Sequence, residues 1–165
     1  MATPTTTTDA PFEMESILGP ELLTKVGSPK QSTAKLFQDK DLVLLYFSAS
    51  WCPPCKAFSP LLVDFYNATA KESKLEIVYI SSDRSVADFE DYYQKMPWLA
   101  IPHEASAAGI KKSLAKLLAI QGIPTLVVLD AKTGEFISSG GRDEVTMVRG
   151  DKAAALDLIS LWKTM

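Results

Sequence analysis

An unbroken apolar run, Leu42-Val43-Leu44-Leu45-Tyr46-Phe47, stops just short of Trp51-Cys52-Pro53-Pro54-Cys55-Lys56, and a helical apolar period starts right behind it. A segment apolar at every position fits a strand buried on both faces, which demands a sheet covered by layers on either side. Behind the cysteines, Phe58, Leu61, Leu62, Phe65, Tyr66 and Thr69 recur at spacings of three and four and trace one face of a helix. Pro60 lies inside that helix, lacks the N–H that would bond back to Lys56, and predicts a kink. A strand feeding a helix in this way leaves the two thiols at the C-terminal end of the strand, where open α/β sheets bind ligands.

Two thiols separated by two residues can close a small disulfide and so exchange two electrons as a unit. If Cys52 opens the helix, the free N–H groups of the first turn lie near its sulfur and favour thiolate over thiol. Together with the positive charge of Lys56 they bring the pKa down from about 8.5 toward 7. Cys52 is then the nucleophile and Cys55 the resolving thiol. A metal site is disfavoured, because structural zinc needs about four N or S ligands and the chain has two cysteines and one histidine, His103. A purely structural disulfide is disfavoured too, since so small a loop restrains the unfolded chain little.

With 165 residues the chain can bury a proper core without disulfide staples. A net charge of −3 provides no basic patch for nucleic acid, and no apolar stretch approaches the roughly 18 residues of a membrane span. Residues 1–11 are Thr-rich, with neither a basic nor an apolar segment, and read as a disordered leader rather than a signal peptide. Residues 12–165 read as one domain, expected to be a monomer in the cytoplasm or nucleus, where a two-cysteine chain is catalytic more often than structural. Gly140-Gly141 precedes no phosphate-binding spacing. No bound cofactor is expected, so reducing power must come from a separate protein or thiol.

The remaining order follows from periodicity. Ile17-Leu18, ended by Gly19-Pro20 and followed by Leu22-Leu23, reads as an edge strand or a turn, and Gly27-Ser28-Pro29 as a turn. Lys74 to Ile80 is a second buried strand. Ser85 is an N-cap for a helix carrying Val86, Phe89, Tyr92 and Tyr93, which Met96-Pro97-Trp98 ends. A third helix carries Ile110, Leu114, Leu117 and Leu118. Gln121 to Pro124 breaks it and feeds a third apolar strand, Thr125 to Asp130. Lys132-Thr133-Gly134 turns the chain into a hairpin strand over Glu135 to Ser139. After the interruption at Gly140-Gly141, a last helix buries Ala155, Leu158, Ile159 and Trp162. The alternation describes an α/β protein with a mixed central sheet.

The strand, Trp51-Cys52-x-x-Cys55-Lys56, the proline five residues after the second cysteine and the distant Ile123-Pro124-Thr125 together resemble the thioredoxin fold. Tyr46-Phe47-Ser48-Ala49-Ser50 before the motif, its Pro53-Pro54 insert and Met96 to Pro102 are similar to the tryparedoxin and nucleoredoxin branch of that superfamily. Ser81 to Ser85 and Ile120 to Leu126 look closer to nucleoredoxin. The resemblance covers Ile17 to Arg149. It implies helices on both faces of the sheet and a protein-disulfide reductase with Cys52 attacking and Cys55 resolving. It also implies a substrate surface of Trp51, Pro53, Pro54, Ile123 and Pro124. Trp51 would shield the disulfide, and Pro124 would be cis against the dithiol, turning the backbone of Ile123 outward to pair with an extended substrate.

One position departs from many thioredoxins, which hold a buried carboxylate where this chain has Tyr46. A phenol with a pKa near 10 is a poor base at pH 7, so the base for Cys55 stays open between water, another carboxylate and the substrate complex. His103, with no catalytic constellation around it, is expected to be a surface or packing residue. Trp98 either lines the substrate surface or plugs the core, and Asp83-Arg84 is expected to be an ordinary exposed ion pair. The implied partners are disulfide-containing proteins and an NADPH-dependent reductase or a trypanothione-like dithiol. A tryparedoxin feeding a peroxidase such as a peroxiredoxin is one alternative function. A redox-sensitive binding module is the other.

Overall fold

The computed structural model describes residues 12–165, so the leader expected over residues 1–11 lies outside the described residues. The chain begins with helix α1 (Glu15–Leu18), a hairpin of β1 (Glu21–Leu22) and β2 (Gln31–Ser32), and α2 (Thr33–Leu36). The motif region follows as β3 (Leu42–Ser48), α3 (Pro53–Ser73), β4 (Leu75–Ser81) and α4 (Val86–Tyr93). The rest is β5 (Leu99–Ala100), α5 (Ala108–Leu117), β6 (Thr125–Asp130), β7 (Phe136–Ser138), α6 (Gly141–Met147) and α7 (Lys152–Lys163).

The five-stranded sheet has the order β5-β4-β3-β6-β7. β3 lies at its centre, parallel to β4 and antiparallel to β6, with Leu44 opposite Ile77 on one side and Val128 on the other. Every residue of β3 and β4 is buried, as a strand between two covered faces requires. Leu42, Leu44 and Tyr46 point into a core with Phe58, Leu62 and Phe65 of α3 and Ile159 and Trp162 of α7. Val43, Leu45 and Phe47 pack the other way, with Leu18, Leu22 and Leu114. The fold is the thioredoxin fold, a mixed sheet with helices on both faces.

Several local expectations needed correction. The segment Phe12 to Leu23 contains a short helix before its strand, because Leu18 packs wholly inside the second core. Gly19, at φ 87°, ends that helix in a conformation that favours glycine. The pair Gly140-Gly141 does more than interrupt: Gly141 starts α6, and a Cβ there would come within 2.7 Å of the carbonyl oxygen of Leu126. Val86 and Leu117 keep helical spacing yet remain 52% and 70% exposed, beyond the buried stripes of their helices. Leu158 is half-buried, whereas Ala155, Ile159 and Trp162 are buried. α3 runs from Pro53 to Ser73 with Pro60 inside it, as expected, and Lys74, at φ 54°, caps its end. Trp98 proves to be the core plug, packed edge-on against Tyr46 and Tyr66 at 6.0 and 5.6 Å.

Candidate active site

Cys52 is the N-cap of α3, and Pro53 and Pro54 fill the first turn behind it. Proline suits this place, since its missing N–H would have had no helical partner. The consequence falls on the sulfur, for the N–H of Cys55 is the first that the helix offers, and it donates to Cys52 Sγ at 3.3 Å. The two cysteines form a disulfide with their Cα atoms 5.2 Å apart. Cys52 keeps 5% of its surface, whereas Cys55 keeps none.

The loop before β6 closes over this pair. The Ile123–Pro124 peptide is cis, and the carbonyl oxygen of Ile123 lies 3.9 Å from Cys52 Sγ across 71 residues of sequence. Pro124 is buried and Ile123 half-buried, while Pro53 and Pro54 are exposed beside the disulfide. Trp51 stands half-exposed at the same rim, its Nε1 donating to the carbonyl of Ser82 at 3.1 Å.

Asp83 overturns the expectation of an exposed ion pair with Arg84. It is buried; Oδ1 accepts from the N–H of Ser50 at 2.6 Å, and Oδ2 accepts from Tyr79 Oη at 2.6 Å and Ser81 Oγ at 2.9 Å. Burial opposes its ionisation, but the hydrogen bonds from Tyr79, Ser50 and Ser81 outweigh it and hold the carboxyl below the usual range. Arg84 turns away and lays its guanidinium over the Trp51 ring, 5.1 Å from the centroid. Parallel pairing of β3 with β4 brings Ser81 opposite Ser48, so an acid two residues past the end of β4 was the signal for a carboxylate under the Ser50–Trp51 turn.

Tyr46 heads a buried chain of hydroxyls. Its Oη donates to the carbonyl of Cys55 at 3.3 Å and lies 2.7 Å from Ser59 Oγ, which reaches Tyr92 Oη at 2.8 Å; Tyr92 meets Ser48 Oγ at 2.9 Å. Burial, reinforced by Tyr92, pushes the Tyr46 phenol far above its ordinary value. It therefore ties α3 to β3 as a neutral hydrogen-bonding group. Tyr46→Phe should cost about 1–2 kcal/mol of stability in urea melts while leaving the pH dependence of Cys52 alkylation by iodoacetamide in place. A shifted alkylation profile would contradict that assignment.

His103 stacks on Phe89 at 5.4 Å, and burial, aided by Lys111, lowers its pKa, as a packing residue would show. No cluster of three or more metal-ligating side chains occurs among the described residues, and none of the described helices is long and apolar enough to cross a membrane.

Residues 39–136 match the thioredoxin-like family model. Tryparedoxin of Trypanosoma brucei brucei is 45% identical over 103 residues, 62% of this chain and 70% of that protein. Nucleoredoxin of Xenopus laevis is 44% identical over 133 residues, 79% of this chain and 30% of that protein, so the chain spans under a third of nucleoredoxin. Among solved structures, tryparedoxin II complexed with glutathionylspermidine superimposes with a TM-score of 0.71 at 41% identity, covering 82% of this chain and 88% of that one. The match spans the motif strand, α3, β4 and the Ile123–Pro124 loop, the segments that carry the redox pair and its surroundings. The chain belongs to the thioredoxin-like family and is an oxidoreductase related to tryparedoxin and nucleoredoxin, with a Cys52–Cys55 pair fit for dithiol/disulfide exchange.

Proposed function

We propose that the chain reduces disulfides in other proteins. The observation that carries this reading is the asymmetry of the pair: Cys52 keeps some surface at the start of α3, and Cys55 has none. In the reduced protein, the Cys52 thiolate attacks one sulfur of the partner disulfide. A Cys52–partner bond forms, the partner's S–S bond breaks, and its second sulfur leaves as a thiolate that takes up a proton. Cys55, after giving up its own proton, then attacks Cys52 Sγ. The Cys52–Cys55 bond forms, the Cys52–partner bond breaks, and the partner sulfur held on Cys52 leaves as a thiolate that takes up a proton. The partner gains two electrons and two protons; the chain loses two electrons and the Cys55 proton, and solvent supplies the other proton.

An external NADPH-dependent reductase or a small dithiol restores the dithiol form. The N–H of Cys55 stabilises the thiolate on Cys52, and the positive end of α3 adds to that effect. Trp51, Pro53, Pro54, Ile123 and Pro124 form the substrate surface, where an extended partner segment pairs with the Ile123 backbone. Residues 12–165 act as one unit, in the cytoplasm or nucleus. A second reading, donation of electrons from a trypanothione-like dithiol to a peroxidase, is favoured by the identity to tryparedoxin over 70% of that protein.

The test is insulin reduction driven by dithiothreitol. The expected result is turnover well above the reagent alone. A rate equal to the reagent's would overturn the general reductase and favour the narrow donor or a redox-gated binding module.

A further inference from the structure

We infer that the preferred partner disulfides are flanked by acidic residues, and that Arg84 sets this preference. The inference rests on the reductase reading and concerns which substrates that site takes. Arg84 is exposed, and its guanidinium lies over the ring of Trp51, the residue next to Cys52. Trp51 is in turn tethered to the end of β4 through Ser82. A cation stacked on a fixed aromatic face is held in place beside the disulfide rather than sampling open solvent.

No acid among the described residues pairs with Arg84. The adjacent acid, Asp83, is buried, and both its oxygens already accept hydrogen bonds from Ser50, Tyr79 and Ser81. Arg84 is in none of the ion pairs among the described residues, and neither is Lys56, exposed in the first turn of α3. The groove alongside α3 presents Lys56 and Lys95 against a single acid, Asp64. The N-terminus of α3 adds positive potential of its own at Cys52. A partner segment laid along Trp51 and Ile123 therefore meets a cationic rim. Glutamate or aspartate beside its disulfide is drawn in, and lysine or arginine is repelled.

The test uses three self-quenched peptides that share one intramolecular disulfide and differ only in having Glu, Gln or Lys on either side of it. Rates above the dithiothreitol background give kcat/KM for the wild type, Arg84→Gln and Arg84→Glu, at low salt and in 0.5 M NaCl, about a fourfold to fivefold shorter screening length than at 20 mM. In the wild type the Glu peptide should outrun the Lys peptide by about tenfold at low salt. The ratio should collapse in high salt, shrink in Arg84→Gln and invert in Arg84→Glu. Comparing peptides within one protein cancels any general loss of activity. Equal wild-type rates on all three peptides, or a Glu/Lys ratio unmoved by either substitution, would overturn the inference and leave the reductase reading intact. No turnover of any peptide, the neutral one included, would overturn both.

Discussion

Cys52→Ser should reduce insulin no faster than dithiothreitol alone, whereas Cys55→Ser should stop at the first half-reaction and hold its partner in a mixed disulfide. The two effects differ in kind because the two sulfurs occupy different places. Cys52 is the sulfur with a route to the surface, and Cys55 is sealed beneath it. Serine at position 52 leaves no thiolate to attack a partner, so turnover falls to background. Serine at position 55 leaves the attack intact but removes the thiol that would release the product, so a covalent adduct accumulates and dithiothreitol must cleave it. Non-reducing electrophoresis with intact-mass measurement distinguishes the outcomes. Turnover retained by Cys52→Ser, or an adduct trapped on Cys55 in place of Cys52, would reverse the assigned roles.

Asp83→Ala should lose about 3–5 kcal/mol of stability, a large share of what a domain of this kind possesses. Its carboxylate accepts from Ser50, Tyr79 and Ser81 at 2.6, 2.6 and 2.9 Å, and truncation would leave those donors without an acceptor in a buried setting. The sign of the pH dependence follows from the depressed pKa. A carboxyl held lower in the folded protein than its unfolded value of about 3.9 contributes stability that is fully present above that value. That contribution drains away as the pH falls through the folded pKa. Urea titrations at pH 7 and pH 3 should therefore show the gap between wild type and Asp83→Asn narrowing in acid. A gap of equal size at both pH values would mean that the charge on Asp83 contributes nothing. Because Ser50 precedes Trp51, Asp83→Ala should also loosen the turn that presents Cys52.

The parts of the molecule legible in the sequence were those with length and period. Leu42 to Phe47 announced a buried strand because every position in it is apolar, Leu75 to Ile80 because every position but Glu76 is, and Ser85 marked a helix start that its hydroxyl indeed caps. The cysteine pair was legible because its spacing and its place between strand and helix are local facts. Short elements were not. β5 has two residues and α2 four, too few to display a period, and they form because neighbours hold them: Leu99 and Ala100 are held by pairing with β4 and Leu23. Leu117 and Val86 misled because spacing continues along a helix after the surface it packs against has ended. Asp83 defied its residue type, which favours solvent for an aspartate, because its partner Ser50 reaches it only through the pairing of β3 with β4. Trp98 could be settled only by seeing which side of Tyr46 it fills.

β3 has a strand on each side, and its partner β6 arrives from 77 or more residues further along the chain, with Phe47 opposite Thr125 and Leu42 opposite Asp130. The amides of Val43 to Phe47 should consequently be among the last to exchange with deuterium, while those of the short edge strand β7 should exchange earlier. Cys52 and Ile123 approach each other only across that same seam. The redox centre is thus assembled at the end of the sheet's central seam, so its geometry should outlast any opening of the β7 edge.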